Sequence, residues 1–354
     1  MSRALAHARR GLGRTTPNPV VGACIVSPDG VVVGQGAHER AGEAHAEIHA
    51  LDEAGEAARG ATLYCTLEPC AHHGRTGPCA ERIIAAGIRR VVAAMEDPFP
   101  QVNGRGFARL RERGIDVTVG IGREAAVRLN QPFLTSVRQQ RPFVILKAAA
   151  SADGRISAAP QARTPITSTI ALRRAQYDRA WVDAVGVGSE TMLVDDPLLT
   201  VREVYRERPL TRVVFDRRLR TLPTARMFST VAQGPILVLT TDAALRADGA
   251  RAAALERAGA TVVAPAAEGL DAALRELHSR GVQSVVIEGG AALHAAVWDA
   301  KLADYVQLYV APTALGDRGV ALDGRAFSTF ALFDRHVEAL GPDVLIEGYV
   351  HRPH

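Results

Sequence analysis

Twice along this chain, short apolar runs alternate with amphipathic stretches, and the alternation is interrupted once, at residues 131–142. In the first stretch VVGACIVSPDGVVVGQG predicts a hairpin with Pro28-Asp29-Gly30 as its turn. HAEIHALDEAG reads as a helix closed by glycine, ATLYCTL as a strand, CAERIIAAGI as a helix, RRVVAAM as a strand, GRGFARLRERG as a helix and IDVTVG as a strand. In the second, FVILKAAA, DAVGVGS, TRVVFD, PILVLTT, SVVIEGG and YVQLYVAP read as strands, with ALRRAQYDRA, AALRADGARAAALERAG and LDAALRELHSRG as intervening helices. Strands that alternate with helices imply layered α/β folds. The break QPFLTSVRQQRP, with two prolines and several polar residues, is expected to be a linker over 131–142, between domains at 1–130 and 143–354.

Composition narrows the partners. A chain of 354 residues accommodates two domains, and 47% hydrophobic residues suffice for two ordinary cores. No apolar run reaches the ~18–20 residues that span a bilayer, so no membrane partner is expected. MSRALAHARRG is basic but has no apolar segment of a secretory signal. The net charge of +4 is spread out, without the Lys/Arg block that tracks nucleic acid. Four cysteines and no visible signal peptide point to a reducing, cytoplasmic setting, where clustered cysteines bind metal or catalyse more often than they pair.

Three of those cysteines fall in CTLEPCAHHGRTGPC, residues 65–79. His45 opens a predicted helix, Cys70 follows a predicted strand after Pro69, and Cys79 starts the next helix after Pro78. One imidazole and two thiolates suit Zn²⁺ and leave a fourth tetrahedral position open, as in a catalytic site. A helix N-terminus also favours the Cys79 thiolate. Glu47, two residues beyond His45, lies close to the metal without needing to ligate it, and is the candidate proton shuttle. Zinc deaminases divide the labour this way, with H-x-E ahead of P-C-x-x-C; here eight residues separate Cys70 and Cys79. A structural knot closed by His72 or His73 is the other reading of the same letters. Cys24 and Cys65 fall on apolar strands and read as packing residues.

TTPNPVVGACIV, HAEIHAL, LEPCAHHGRTGPC and DPFPQVNGRG resemble, in order, the deaminase half of the bifunctional riboflavin-biosynthesis pyrimidine deaminase/reductase family. The resemblance implies a three-layer, cytidine-deaminase-like N-terminal domain with His45, Cys70 and Cys79 as zinc ligands and Glu47 as catalytic acid/base. It also implies that Asn18, His72 and Arg75 line the substrate pocket. An Asn offers both donor and acceptor to a pyrimidine edge, and an Arg suits a ribose phosphate; Asn18, between two prolines, reads equally as a turn residue. Gly77 stands where a second proline is common in this family.

The second half lacks a G-x-G-x-x-G fingerprint; Gly186 to Thr191 is a near miss. Glu288-Gly289-Gly290 ends a strand and opens a helix, which admits either phosphate approach or a plain tight turn. Lysine occurs only at Lys147 and Lys301 in an arginine-rich chain, so Lys147, at the end of an apolar strand, stands out. The order KAAASADGRIS, TMLVDDPLLTVR, IEGG resembles the reductase half of the same family, dihydrofolate-reductase-like in fold and NADPH-dependent. The resemblance implies that Lys147 is catalytic, that Arg179, Leu199, Arg202 and Glu288 meet a sugar-phosphate substrate, and that Ala149, Thr167, Thr191, Asp195, Gly289 and Gly290 meet NADPH. Pro165 and Ala152 replace the bulkier Trp and Leu or Met usual in the family, which removes bulk near the expected cofactor.

The expected activity is deamination of a pyrimidine ribosylamino phosphate, then reduction of its ribosyl chain, with Zn²⁺ and NADPH as cofactors and a homo-oligomer as the expected assembly. Two other readings are a deaminase with an altered reductase domain and a zinc-stabilised metabolite-binding module; the open coordination position argues against the latter.

Overall fold

The structure, a computed structural model, describes residues 1–71, 77–99 and 102–353. The chain divides into two compact units, Met1–Gln140 and Arg141–Arg352. Among the described residues, no helix is long and apolar enough to cross a membrane.

The first unit is built on a sheet of β1 (Gly22–Val26), β2 (Val32–Ala37), β3 (Thr62–Cys65), β4 (Arg90–Ala93) and β5 (Asp116–Val119). The order is β2-β1-β3-β4-β5, with β1 antiparallel to both neighbours and β3, β4 and β5 parallel. Its helices are α1 (Ser2–Ala8), α2 (Ala46–Ala54), α3 (Cys79–Ala85), α4 (Arg105–Glu112), α5 (Arg123–Leu129) and α6 (Gln131–Gln139). The expected hairpin is present, closed by the Ser27 N–H donating to the Val31 carbonyl. α2 seats directly on β2 because that strand carries glycines: a Cβ at Gly36 would lie 2.2 Å from the Ala46 carbonyl oxygen. α1 packs on the opposite face at Gly22, so helices cover both sides of the sheet in three layers. Ile25, Leu63, Ile83, Val91, Phe107 and Leu110 form the core.

The segment 131–142 is not the structureless connection its prolines suggested. Pro132 occupies the first turn of α6, where a missing N–H costs nothing. Phe133 and Leu134 are buried in the first unit's core, each contributing about 1.5–3 kcal/mol. The break between units falls after Gln140.

The second unit contains β6 (Phe143–Ser151), β7 (Arg155–Ser157), β8 (Ala184–Gly188), β9 (Thr211–Phe215), β10 (Ile236–Leu239), β11 (Ala260–Val263), β12 (Ser284–Gly289), β13 (Tyr305–Ala311), β14 (Val320–Ala321), β15 (Phe333–Leu340) and β16 (Asp343–Tyr349). Nine of these form one sheet ordered β11-β10-β9-β8-β12-β6-β13-β16-β15, while β7 and β14 pair separately. The strands from β11 to β13 run parallel, and β16 and β15 add on antiparallel. The helices are α7 (Thr169–Trp181), α8 (Ser189–Asp195), α9 (Asp242–Ala247), α10 (Gly249–Arg257), α11 (Leu270–Ser279) and α12 (Ala291–Asp299). The single helix expected over 243–259 is two. Asp248 leaves the helical region at φ −143°, ψ 64°, and its carboxylate accepts the Arg251 N–H to start α10.

β6 runs to Ser151, so Lys147 lies within the strand rather than at its end. Val144, Leu146 and Ala148 point into one core, and Lys147 and Ala149 take the alternate face. At the start of β6, Arg141 donates two hydrogen bonds of 2.6 and 2.8 Å to Asp304, which also accepts from the Val144 N–H and meets His351 Nε2 at 2.9 Å.

Candidate active sites

In the first unit three separate elements converge. His45 precedes α2 in an extended conformation, φ −74° and ψ 160°. Cys70 follows β3, and Cys79 is the first residue of α3. Their donor atoms all lie within 4.8 Å of one another. His45 Nδ1 is 3.2 Å from Cys79 Sγ and 3.6 Å from Cys70 Sγ. A tetrahedral zinc, with its bonds of about 2.05 Å to nitrogen and about 2.3 Å to sulfur, would hold such atoms about 3.6 Å apart, so the donor set fits the ion. The Cys79 N–H, freed at the start of α3, donates to Cys70 Sγ at 3.3 Å. Hydrogen bonding from Cys79 holds Cys70 low, and that bond plus burial pushes Cys79 up. The hydrogen bond with Cys70 raises His45 to about 8. This is a preformed electron-rich pocket.

Glu47 sits in the first turn of α2, 3% exposed. Burial pushes its carboxyl up to about 7, placing it where a group both accepts and returns a proton near neutrality. Cys24 and Cys65 are buried free thiols on β1 and β3, as expected of packing residues.

Asn18 reaches this site through a residue that sequence reasoning missed. Its Nδ2 donates to His38 Nε2 at 3.0 Å, and His38 Nδ1 lies 3.1 Å from the Ala44 carbonyl. That carbonyl can only accept, so Nδ1 carries the proton and the ring is neutral; burial lowers its pKa accordingly. The His38 ring stands edge-on to His45, centroids 5.4 Å apart. A lone histidine after β2 has no spacing signature, and only the hairpin brings it to α2. Asp97 was also unassigned. It is 8% exposed, burial pushes it up to about 6, and it interacts electrostatically with Cys70 and His45. His72 and Arg75 lie outside the described residues.

In the second unit, Arg179 on the last turn of α7 and Glu288 on β12 form a two-pronged pair at 2.5 and 2.6 Å. Arg179 also donates to the Thr200 carbonyl at 2.9 Å. Lys147 joins this group electrostatically, its Nζ 5.4 Å from the Tyr309 ring centroid. Burial lowers the Lys147 pKa while Glu288 raises it. Tyr309 in turn donates to Asp178 at 2.7 Å; neither residue was singled out by its sequence. Arg202 is exposed and contributes to holding Glu288 ionised. Leu199, at φ 54°, is buried as a whole residue. Thr191 on α8 closes against the glycine turn: its Oγ1 is 2.8 Å from where a Gly289 Cβ would sit and 3.5 Å from that of Gly290. Ala149 lies beside Lys147 on the same strand face. Thr167 precedes the Ser168 cap of α7, and Asp195, half-buried and raised by that burial, ends α8. Among the described residues, neither Thr167 nor Asp195 hydrogen-bonds to the glycine turn.

A three-layer α/β/α unit presenting His, two Cys and a buried Glu defines a zinc-dependent deaminase of the cytidine-deaminase type, here followed by a dihydrofolate-reductase-like reductase unit. Residues 1–95 match the cytidine and deoxycytidylate deaminase zinc-binding region, and residues 142–346 match the RibD C-terminal domain. The chain belongs to the RibD family, the bifunctional deaminase/reductases of riboflavin biosynthesis. It is 39% identical to the riboflavin biosynthesis protein RibD of Escherichia coli K12 over 98% of this chain and 97% of that one. The Synechocystis RibD is 40% identical over 99% of this chain and 95% of its own. Among solved structures, Acinetobacter baumannii RibD superposes with a TM-score of 0.86 at 36% identity, covering 99% and 98% of the two chains. A Thermotoga maritima diaminohydroxyphosphoribosylaminopyrimidine deaminase/5-amino-6-(5-phosphoribosylamino)uracil reductase gives 0.82 at 33% identity, covering 98% and 96%. Deaminase and reductase activities, zinc dependence and a pyridine-nucleotide cofactor follow from that membership.

Proposed function

We propose that the first unit deaminates a diaminopyrimidinone ribosylamino phosphate and that the second reduces the product's ribosyl chain to ribityl with NADPH. The substrate is the one named for the Thermotoga relative. The observation that carries the first step is the convergence of His45, Cys70 and Cys79 beside the buried Glu47. Zinc, when bound by those three residues, supplies Lewis acidity and a nucleophile at neutral pH. Glu47 would carry the two protons of the attacking water in turn, the first to the ring nitrogen and the second to the amine, which leaves as ammonia while the water oxygen becomes the new carbonyl. Its raised pKa suits both directions of transfer. Asn18, fixed by His38, presents its amide to the pyrimidine edge.

For the second step, NADPH held at the Gly289-Gly290 turn would supply the hydride that the ribose C1′ carbon accepts, with one proton taken up as the sugar opens. Lys147 makes no hydrogen bond with other described residues, leaving its ammonium N–H groups to the substrate. Arg179 and Glu288 form the polar floor beside it, and the Gly289-Gly290 turn with Thr191 offers close backbone approach to the cofactor. Replacing Glu47 by Gln or Ala should abolish ammonia release while NADPH oxidation on the deaminated intermediate continues. Retained deamination by either variant refutes the proton-transfer role.

A further inference from the structure

The Glu of Leu67-Glu68-Pro69-Cys70 belongs to neither the ligand set nor the proton-transfer group, yet it is 3% exposed. Among the described residues it has no cationic partner. Its carboxylate is satisfied by backbone alone. Oε2 accepts from the Asp97 N–H at 3.3 Å and the Gly104 N–H at 2.9 Å. Oε1 accepts from the Gly106 N–H at 2.8 Å and the Phe107 N–H at 3.3 Å. Gly104, Gly106 and Phe107 begin α4, which has no side-chain cap of its own, and a helix start leaves its first N–H groups without partners. Asp97 lies four residues beyond the end of β4. One carboxylate thus grips both ends of the connection between β4 and α4.

The grip is close. A Cβ at Gly106 would lie 1.8 Å from the Pro69 carbonyl oxygen, so α4 begins in direct contact with the peptide preceding the ligand Cys70. At the other end, Asp97 uses Oδ1 to accept the Phe99 N–H at 2.8 Å and is coupled electrostatically to Cys70 and His45.

We propose that Glu68 is a positioning residue for deamination: it clamps both ends of the β4–α4 connection onto the Pro69-Cys70 turn and thereby sets Asp97 beside the metal-ligand cluster, as part of the wall that receives the pyrimidine. The proposal rests on the deaminase reading of the first unit. His45 just before α2, Glu47 on α2 and Cys79 on α3 are not bonded to Glu68, so their placement does not depend on the clamp; Cys70 is the one donor that adjoins it. Substrate placement does depend on the clamp.

The test uses the full chain with Glu68→Gln, which keeps the side-chain shape but turns an NH₂ group toward two of the four donors. Ammonia release from the diaminopyrimidinone ribosylamino phosphate gives kcat and KM. Metal content and the Co²⁺ absorption spectrum of the substituted protein report the ligand set. NADPH oxidation on the deaminated intermediate reports folding of the same chain. Zinc content, Co²⁺ spectrum and reduction should be unchanged, while deaminase kcat/KM falls about 10²-fold, the cost of a misplacement of about 1 Å, mostly through KM. Asp97→Asn should lose a comparable amount, and the double variant should lose no more than the larger single loss, because both act at one place. Deaminase kcat/KM within about twofold of the parent would overturn the proposal, as would multiplying losses in the double variant, or an altered Co²⁺ spectrum, which would make Glu68 a support for Cys70 alone. If Glu68→Gln does not fold, Asp97→Asn alone decides: full deaminase activity overturns the proposal, and loss through KM with zinc retained supports it. Absence of ammonia release by the parent chain overturns the deaminase reading itself, and this proposal with it.

Discussion

Replacing Glu288 by Gln breaks the pair with Arg179, whose side chains are 9% and 13% exposed. Gln keeps the shape and one acceptor oxygen, but Arg179 keeps its charge in a site nearly closed to water, with the Thr200 carbonyl as its remaining strong partner. Removing one member of a buried pair costs about 3–5 kcal/mol, and the retained amide oxygen places this variant at the lower end, about 3 kcal/mol. At about 2–4 °C per kcal/mol for a unit of 150–250 residues, the second unit should melt about 6–12 °C earlier. The sign with pH is defined. Burial raises the Glu288 carboxyl, but Arg179, Lys147 and Arg202 outweigh it, leaving a depressed pKa. The pair's contribution is therefore present at neutral pH and lost as pH falls through that depressed value, so parent and variant should converge in acid. Lys147 adds a second readout. Burial lowers its pKa and Glu288 partly restores it; the neutral Gln removes the restoring charge. Lys147 should then deprotonate at lower pH, moving the alkaline limb of the NADPH-oxidation profile downward. Thermal melts from pH 2 to 8 and pH–rate profiles on the deaminated intermediate measure both, with ammonia release as the reference activity of the same chain. An unchanged melting temperature together with an unshifted alkaline limb would refute the electrostatic account of this site.

Three further perturbations test other parts of the structure. Cys79→Ala removes one of the three converging donor atoms and the thiol donor to Cys70; zinc content should fall below stoichiometric and ammonia release by at least about 10²-fold, with NADPH oxidation on the intermediate retained. Gly36→Ala drives a methyl group to 2.2 Å from the Ala46 carbonyl oxygen, so α2 must shift with His45 and Glu47, costing about 1–3 kcal/mol in denaturant melts and lowering deaminase activity more than reductase activity. Asp304→Asn leaves Arg141 and the Val144 N–H short of charge at the start of β6. It should destabilise the second unit by about 3–5 kcal/mol at pH 7 in denaturant titration. Burial raises the Asp304 carboxyl, but Arg141 and His351 hold it below its usual value, so the difference between parent and variant should shrink as pH falls through the depressed value.

Much of the first unit was legible because its signals are local. The Pro28-Asp29-Gly30 turn, the H-x-E at the start of α2 and the cysteine after each proline are read from neighbours in the chain. His38 and Glu68 were not legible, since their roles depend on partners brought close by the hairpin and by the β4–α4 connection. Pro132 misled for a physical reason: proline reads as a breaker, yet in a first helical turn it starts α6. Asp248 misled in the opposite way, as a polar residue in a helical pattern that instead ends one helix and caps the next. The exposed residues of β15 and the short apolar run of β11 have no strong period of their own. Pairing to β16 and β10 makes them strands.

The sequence by itself determined the layered α/β class, the two-part organisation and the chemical type of the donor atoms that His45, Cys70 and Cys79 bring together, because apolar period, turn residues and side-chain type are properties of short windows. Only the tertiary structure decided which buried charges are paired, that Lys147 stands over the Tyr309 ring, and that Asp97 and His38 reach the ligand cluster. Those outcomes depend on distances between segments far apart in the chain, and such distances are set by packing of the whole core rather than by any local run of residues.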